Sequence, residues 1–514
     1  MSCESGSGPG EVSMISRWQE PGGYREVLRM AAPLILSTGS WSLQIFVDRV
    51  FLSWHSRDAL AACLPAGMLH FTFSSLFIGT VAYVNTFVAQ YWGADRRDRV
   101  GPAVWQGIYV GLASGLIILC LIPFSRSFFE WAGHEPRIRA LEAEYFRILC
   151  FMGPGITGVA VSSFFSGRGD TRTVMWVNFL ANGLNIVLDY AWIFGHWGFP
   201  EWGIRGAAWA TVVSHLLIPV VFFALMMRPR YRDTLCTLSG WRPEAALLRR
   251  LLRFGLPNGV QFMLEILGFS MFILLVGRLG TTALAATSVT FNINTLAFLP
   301  MMGMGIAVST LVGQYLGKNR ADLAERSTWS AVHLSLAYML VMAAGYVFAP
   351  GLFLKPYISG ADPEAFEQVW DMTVVLLRFV AVYCIFDALY IVFSAGVKGA
   401  GDTRFVMLTS VALGWFVMVL PTYLLVVIYG MGLYIAWVFV SLYLVTGGLI
   451  FMLRFRGGKW KSMRVIESPE TARTRAIGPA VNHDANDGSR QSGPRKNGDE
   501  ASPDSIEPSQ TRGV

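Results

Sequence analysis

Apolar residues gather into twelve long runs, separated by short segments rich in Gly, Pro and charged residues, at about 30–52, 63–91, 103–123, 143–165, 174–195, 205–227, 252–277, 284–314, 328–350, 373–397, 405–428 and 432–453. About 20 helical residues cross a hydrocarbon core of ~30 Å, so each run predicts one membrane-spanning helix. An even number of spans places both ends of the spanning region on one side. The flanking stretches lack apolar periodicity and are rich in Gly, Ser, Pro, Asp and Asn, which predicts unstructured tails over 1–22 and 457–514.

The pattern also repeats. Shifted by 224 residues, Pro33 falls on Pro257, Ala59-Leu60-Ala61-Ala62 on Ala283-Leu284-Ala285-Ala286, and Gly79 on Gly303. Val88, Gln90, Tyr91 and Gly93 fall on Val312, Gln314, Tyr315 and Gly317 under the same shift. Further along, at a shift of 232, Gly169-Asp170-Thr171-Arg172 recurs as Gly401-Asp402-Thr403-Arg404. Each half holds six helices, an even number, so the halves share one orientation and are related by an axis along the membrane normal. The expected fold is an all-α integral membrane protein with twelve transmembrane helices, built as two parallel six-helix repeats around a central cleft. Its divisions are an N-lobe over 23–228, a linker over 229–248 and a C-lobe over 249–456.

Composition agrees: only 15% of residues are charged, and mean hydropathy is +0.47. The net charge of +7 is an orientation signal rather than a nucleic-acid footprint, because 25 of the 41 Lys and Arg lie in or beside loops on the side of the termini and ten on the opposite side. The positive-inside rule then puts both termini in the cytoplasm. Six cysteines and seven histidines show no metal-ligand spacing, and the first thirty residues contain no basic-then-apolar leader. Asp170 and Asp402 precede apolar runs and are expected to cap the helices that follow. Arg172 and Arg404 are expected to face the anionic inner leaflet.

Chemistry is expected where the bilayer tolerates groups only at a cost. Asp48, Asp189, Glu265 and Asp387 fall inside apolar spans. At about 2.5–3.5 kcal/mol each near a helix centre, the four together cost roughly 10–14 kcal/mol, so they must meet water, a cation or a proton. Asn185 stands four residues before Asp189 and Tyr383 four before Asp387, so each pair shares a helix face. Oxygen-only ligation suits a hard cation such as Na⁺. The acids do not follow the repeat: Asp48 aligns with Phe272, Glu265 with Trp41 and Asp387 with Gly155. Each lobe therefore has its own polar set.

These residues carry a resemblance. Ala32-Pro33 with Phe46-Val47-Asp48, Val88-Ala89-Gln90-Tyr91-Trp92-Gly93, Gly167-Arg168-Gly169-Asp170-Thr171, Asn185 to Tyr190, Gly255-Leu256-Pro257 with Glu265, and Tyr383 and Asp387 before Gly399-Ala400-Gly401-Asp402-Thr403 together resemble the MATE (multidrug and toxic compound extrusion) family over about residues 24–456, in its NorM-like branch. The resemblance implies a Na⁺- or H⁺-coupled antiporter, not an enzyme, that exports amphipathic or cationic small molecules by alternating access. It implies an N-lobe cation site at Asp48, Asn185 and Asp189, a C-lobe site at Glu265, Tyr383 and Asp387, and no cofactor beyond the coupling ion. A monomer in the cytoplasmic membrane, in contact with lipids and with no nucleic-acid partner, is expected. One departure stands out: Arg49 follows Asp48, and Ser53-Trp54-His55-Ser56 replaces the glycine-containing stretch usual in the family. Adjacent helical residues diverge by about 100°, so Arg49 is expected to point away from the acid.

Gln44, Asn85, Asn182, Gln261 and Asn292 are candidates for lining the substrate cleft, with interhelical hydrogen bonding as the competing role. Asn178 and Asn294 carry the same two readings. A flippase for lipid-linked sugars is the alternative function, but it calls for a cationic cavity, whereas the mid-membrane charges here are mainly acidic. A membrane-embedded transferase or protease would need a catalytic cluster that the sequence lacks.

Overall fold

The computed structural model describes residues 18–132, 135–355 and 363–467. The apolar runs form α1 (Tyr24–His55), α2 (Arg57–Gly93), α3 (Val100–Leu119), α4 (Pro136–Cys150 and, after a bend, Gly153–Ser166), α5 (Thr171–Phe194) and α6 (Ile204–Met226). The second half forms α7 (Ala245–Gly277), α8 (Thr281–Gly317), α9 (Ala321–Phe348), α10 (Pro363–Ala400), α11 (Thr403–Ile428) and α12 (Leu433–Arg456). Ten of these are long and apolar enough to cross a membrane, and the two parts of α4, bent by 48°, form an eleventh span. The remaining one, α5, has 24 residues and bears Asn178, Asn182, Asn185 and Asp189 along its length.

Proline shapes several spans. Pro33, Pro65, Pro219, Pro257 and Pro300 lie inside helices, where neighbouring helices can satisfy the freed carbonyls. Around Pro421, α11 widens into π-turns over Leu413–Val419 and Tyr423–Ile428, the register change expected where an N–H is missing from the ladder.

The duplicated motifs turn out to form the seam between the lobes. Gln90 at the end of α2 donates to Gly399 O (3.0 Å), and its repeat mate Gln314 at the end of α8 donates to Gly167 O (2.8 Å). Each glutamine thus clasps the glycine that precedes the repeated Gly-Asp-Thr-Arg of the opposite lobe. The glycines obey the same exchange. A Cβ on Gly93 would overlap the Gln314 carbonyl, and one on Gly317 would overlap that of Gln90. A Cβ on Gly79 would lie 2.8 Å from Gly259 Cα, and one on Gly303 would lie 2.7 Å from Ile35 N. Between these crossings Asn85 Nδ2 donates to Thr310 Oγ1 (2.8 Å), and Thr86 faces Ser309 (3.5 Å).

These bonds lie in the half of the bundle nearer the basic loops, called here the basic face. Moving from that face into the bundle, Thr38 donating to Leu299 O is the last hydrogen bond joining α1 to α8 among the described residues. The segment entering α1 also packs on the opposite lobe: Arg326 pairs with Glu20, Ser330 donates to Gly22 O (2.9 Å), and Tyr315 donates to Glu26 (2.6 Å). The linker after α6 packs on α3, with Trp105 Nε1 donating to Thr237 O (2.7 Å) and Arg99 paired to Glu244 (2.8 Å).

Two expectations need correction. Asp170 caps α5, accepting from Thr173 N–H (3.4 Å) and its hydroxyl (2.8 Å), but Asp402 does not cap α11. Its Oδ2 instead accepts from Arg454 Nε (2.9 Å) and Nη2 (2.6 Å) on α12, a charge-assisted interaction that outcompetes neutral backbone donors. The tail expected from residue 457 is also packed at its start. Trp460 stacks on Phe455 with ring centroids 4.6 Å apart and donates to Phe455 O (2.8 Å), and Val465 N–H reaches Gln90 Oε1 (2.9 Å). The remainder of both expected tails, 1–17 and 468–514, lies outside the described residues.

Candidate functional site

In the N-lobe α1 and α5 run side by side and share a polar ladder. Asn178 Nδ2 donates to Ser37 Oγ and Asn182 Nδ2 to Ser40 Oγ, both at 2.7 Å. One turn further the Asn185 amide nitrogen lies 2.9 Å from the Gln44 side-chain amide and 3.0 Å from Asp189 Oδ2, while its oxygen faces Thr211 N at 3.2 Å. The next turn brings Asp48 and Asp189 within electrostatic reach of each other. The steps of three or four residues on both helices keep the rungs on one face.

This ladder ends in oxygen atoms without donors. Asp48 Oδ1 and Asp189 Oδ1 are buried and have no hydrogen-bond partner among the described residues. Buried acceptors are ordinarily satisfied, and the two unpartnered carboxylate oxygens suit a cation or protons. Asn185 and Asp189 are fully buried, and Gln44 is nearly so. Arg49 is exposed, turned out of the cluster, though its charge still reaches Asp48. Tyr145 of α4 and Cys63 of α2 border the acids, a proximity that no local spacing reveals.

In the C-lobe Glu265 Oε1 accepts from Gln261 Nε2 (3.0 Å) on its own helix and from Tyr390 Oη (2.7 Å) on α10. Tyr390 also contacts Ser410 Oγ of α11 (2.6 Å) and receives a bond from Tyr443 Oη of α12 (3.0 Å). Gln261 Nε2 reaches Ser410 as well, at 3.3 Å, and Gln261 Oε1 is a buried orphan. Asp387 is buried and electrostatically coupled to Glu265, and Tyr383 neighbours Asp387. Four helices therefore meet at Glu265, and the hydroxyl on its carboxylate is that of Tyr390. Sequence spacing picks out Tyr383 on the Asp387 face, but it has no means to find Tyr390, Ser410 or Tyr443.

The candidate cleft residues divide. Gln44 and Asn182 belong to the N-lobe ladder and Gln261 to the C-lobe network. Asn85 is occupied in the seam, donating to Thr310 and accepting from Ser166 Oγ (2.7 Å). Asn292 is exposed on α8, its amide turned back to Ser288 O (2.9 Å).

Two six-helix lobes, duplicated in sequence, clasped at one face and each holding a buried carboxylate cluster, define a polytopic membrane transporter. The MatE family model matches residues 33–191 and 257–424, one stretch in each lobe and together more than half of the chain. The chain belongs to the MatE family. It is similar to the probable multidrug resistance protein NorM of Thermotoga maritima, 25% identical over 445 residues covering 86% of this chain and 94% of the relative. The protein of the same name from Brucella suis is 28% identical over 412 residues, covering 79% and 86%. The fold is shared with the structure described as the outward-facing conformation of a multidrug resistance MATE family transporter, with a TM-score of 0.77 and 20% identity over 88% of this chain and all of that one.

Proposed function

We propose that this protein is a Na⁺- or H⁺-coupled antiporter that exports amphipathic, cationic small molecules by alternating access, with its basic face in the cytoplasm. The observation that carries this reading is the pair of orphaned carboxylate oxygens of Asp48 and Asp189 at the end of the N-lobe ladder. They supply hard oxygen ligands, or proton acceptors, where the bilayer otherwise penalises charge. The C-lobe network around Glu265 and Asp387 is a second station, its carboxylate steadied by the Tyr390 hydroxyl. The clasp closed at the basic face suits an outward-facing state. In that state an incoming cation neutralises the acids, and the loss of negative potential releases a cationic substrate outward. A membrane potential supplies about 2.3 kcal/mol per charge per 100 mV for this exchange.

The test is efflux of a fluorescent lipophilic cation from proteoliposomes under separately imposed Na⁺ and pH gradients. Efflux follows one gradient, is abolished in Asp189→Asn and Asp387→Asn, and leaves membrane insertion intact in both. Full efflux in both variants would remove these acids from the coupling role. Indifference to either gradient would favour the lipid-linked sugar flippase instead.

A further inference from the structure

The segment after α12 builds a pocket that the transport reading leaves unused. Its volume is about 260 Å³, and it is lined by Arg253 and Phe254 of α7, Gly401, Asp402 and Arg404 at the start of α11, and Met463 and Arg464 beyond α12. The size is below the roughly 300–1,000 Å³ of sites for drug-sized molecules. Three arginines from three separate elements line it. Its one carboxylate, Asp402, is held by Arg454, which lies outside the lining. Arg464 donates only to the carbonyls of Lys461 (2.8 Å) and Met463 (2.7 Å), and none of the three arginines pairs with an acid among the described residues.

The wall carrying Arg464 is fixed in place. Trp460 is buried against Phe455, Lys461 pairs with Glu325 (2.6 Å), and Val465 is buried with its N–H on Gln90. Phe254 and Met463 add apolar wall beside the arginines. Arg253 and Arg404 have repeat mates in Arg29 and Arg172, and the third arginine lies beyond the last spanning helix.

We propose that this pocket binds a phosphate-bearing anion, the group that bidentate guanidinium clusters suit best. A phospholipid headgroup of the adjoining leaflet and free phosphate share that chemistry.

Full-length protein in neutral detergent is titrated with short-chain phosphatidylglycerol, with phosphatidylcholine of equal chain length, and with inorganic phosphate. Melting temperature and lipid retained in native mass spectra are the readouts. Phosphatidylglycerol is expected to bind more tightly than phosphatidylcholine, and its affinity to fall about fivefold per pocket arginine removed, the ratio that ~1 kcal/mol per basic residue gives. R253Q/R404Q is compared with R29Q/R172Q, which removes the same charge at the repeat-equivalent positions and is expected to bind like the parent. R464Q alone, beyond the last spanning helix, serves if the double variant does not fold. Phosphatidylglycerol binding that inorganic phosphate leaves untouched assigns the site to the lipid headgroup. Binding of inorganic phosphate, with or without displacement of lipid, assigns it to the phosphate group itself. Equal weakening in the two double variants overturns the proposal, as does a parent protein that neither prefers phosphatidylglycerol nor responds to phosphate.

Discussion

Gln90→Ala is the most informative single change in the seam. Gln90 is fully buried and makes two bonds to the other lobe's elements, donating to Gly399 O (3.0 Å) and accepting from Val465 N–H (2.9 Å). Truncation strands one buried carbonyl and one buried N–H, at about 1–3 kcal/mol each, so the clasped state loses roughly 2–4 kcal/mol after partial hydration. Even the lower figure shifts the balance between clasped and open states about thirtyfold. Gln314→Ala strands only Gly167 O, on a partly exposed side chain, and is expected to cost about 1 kcal/mol. Spin labels at Asp98→Cys and Asp322→Cys, exposed positions related by the 224-residue repeat, report the separation of the lobes at the basic face once the native cysteines are replaced. The expected order of long-distance population is Gln90→Ala above Gln314→Ala above the parent. Identical distance distributions in all three would refute the clasp as the restraint on opening.

Three further outcomes follow from the structure. Gly93→Ala places a methyl group against the Gln314 backbone, which cannot retreat as a flexible side chain would, and is expected to populate the unclasped state in the same distance measurement. Gly183→Ala on α5 has open space around the added carbon and is expected to leave the thermal midpoint unchanged or raised, by up to ~1 kcal/mol of helix stability. Tyr390→Phe removes the hydroxyl that donates to Glu265 at 2.7 Å. The coupling-cation concentration for half-maximal efflux should rise or fall by about tenfold or more, from the ~1.5–3 kcal/mol that a hydrogen bond to a charged group contributes. An unchanged cation dependence would place Glu265 outside the coupling path.

Much of this architecture is legible in the sequence because lipid makes it so: a backbone in hydrocarbon must satisfy itself, so spans appear as apolar runs, faintest in α5 with its three asparagines and Asp189. The acids were equally plain, since a carboxylate in such a run has few permissible roles. Helical spacing pairs Asn185 with Asp189, and the structure places the Asn185 amide 3.0 Å from Asp189 Oδ2. Spacing fails across helices. Tyr390 is 125 residues from Glu265 in the chain and carries no local mark of that contact. The same gap hides the partner of Asp402, whose position before α11 is that of a cap although Arg454, 52 residues away, takes its carboxylate. The repeated Gln90 and Gln314 are visible as a pattern, but their partners Gly399 and Gly167 sit on the opposite lobe, where no local spacing points.

The reciprocal clasp has an ancestral meaning. Each half-chain presents one patch, glutamine and glycines, to the matching patch of the other, which is the geometry of a twofold homodimer. A six-helix protein that paired with itself through this surface would have needed only gene fusion to become the present chain. In a fused chain only the shared seam still calls for matching patches. The unmatched acids are what that freedom permits: Asp48 and Asp189 in one half, Glu265 and Asp387 in the other, specialised separately on a joint inherited in duplicate.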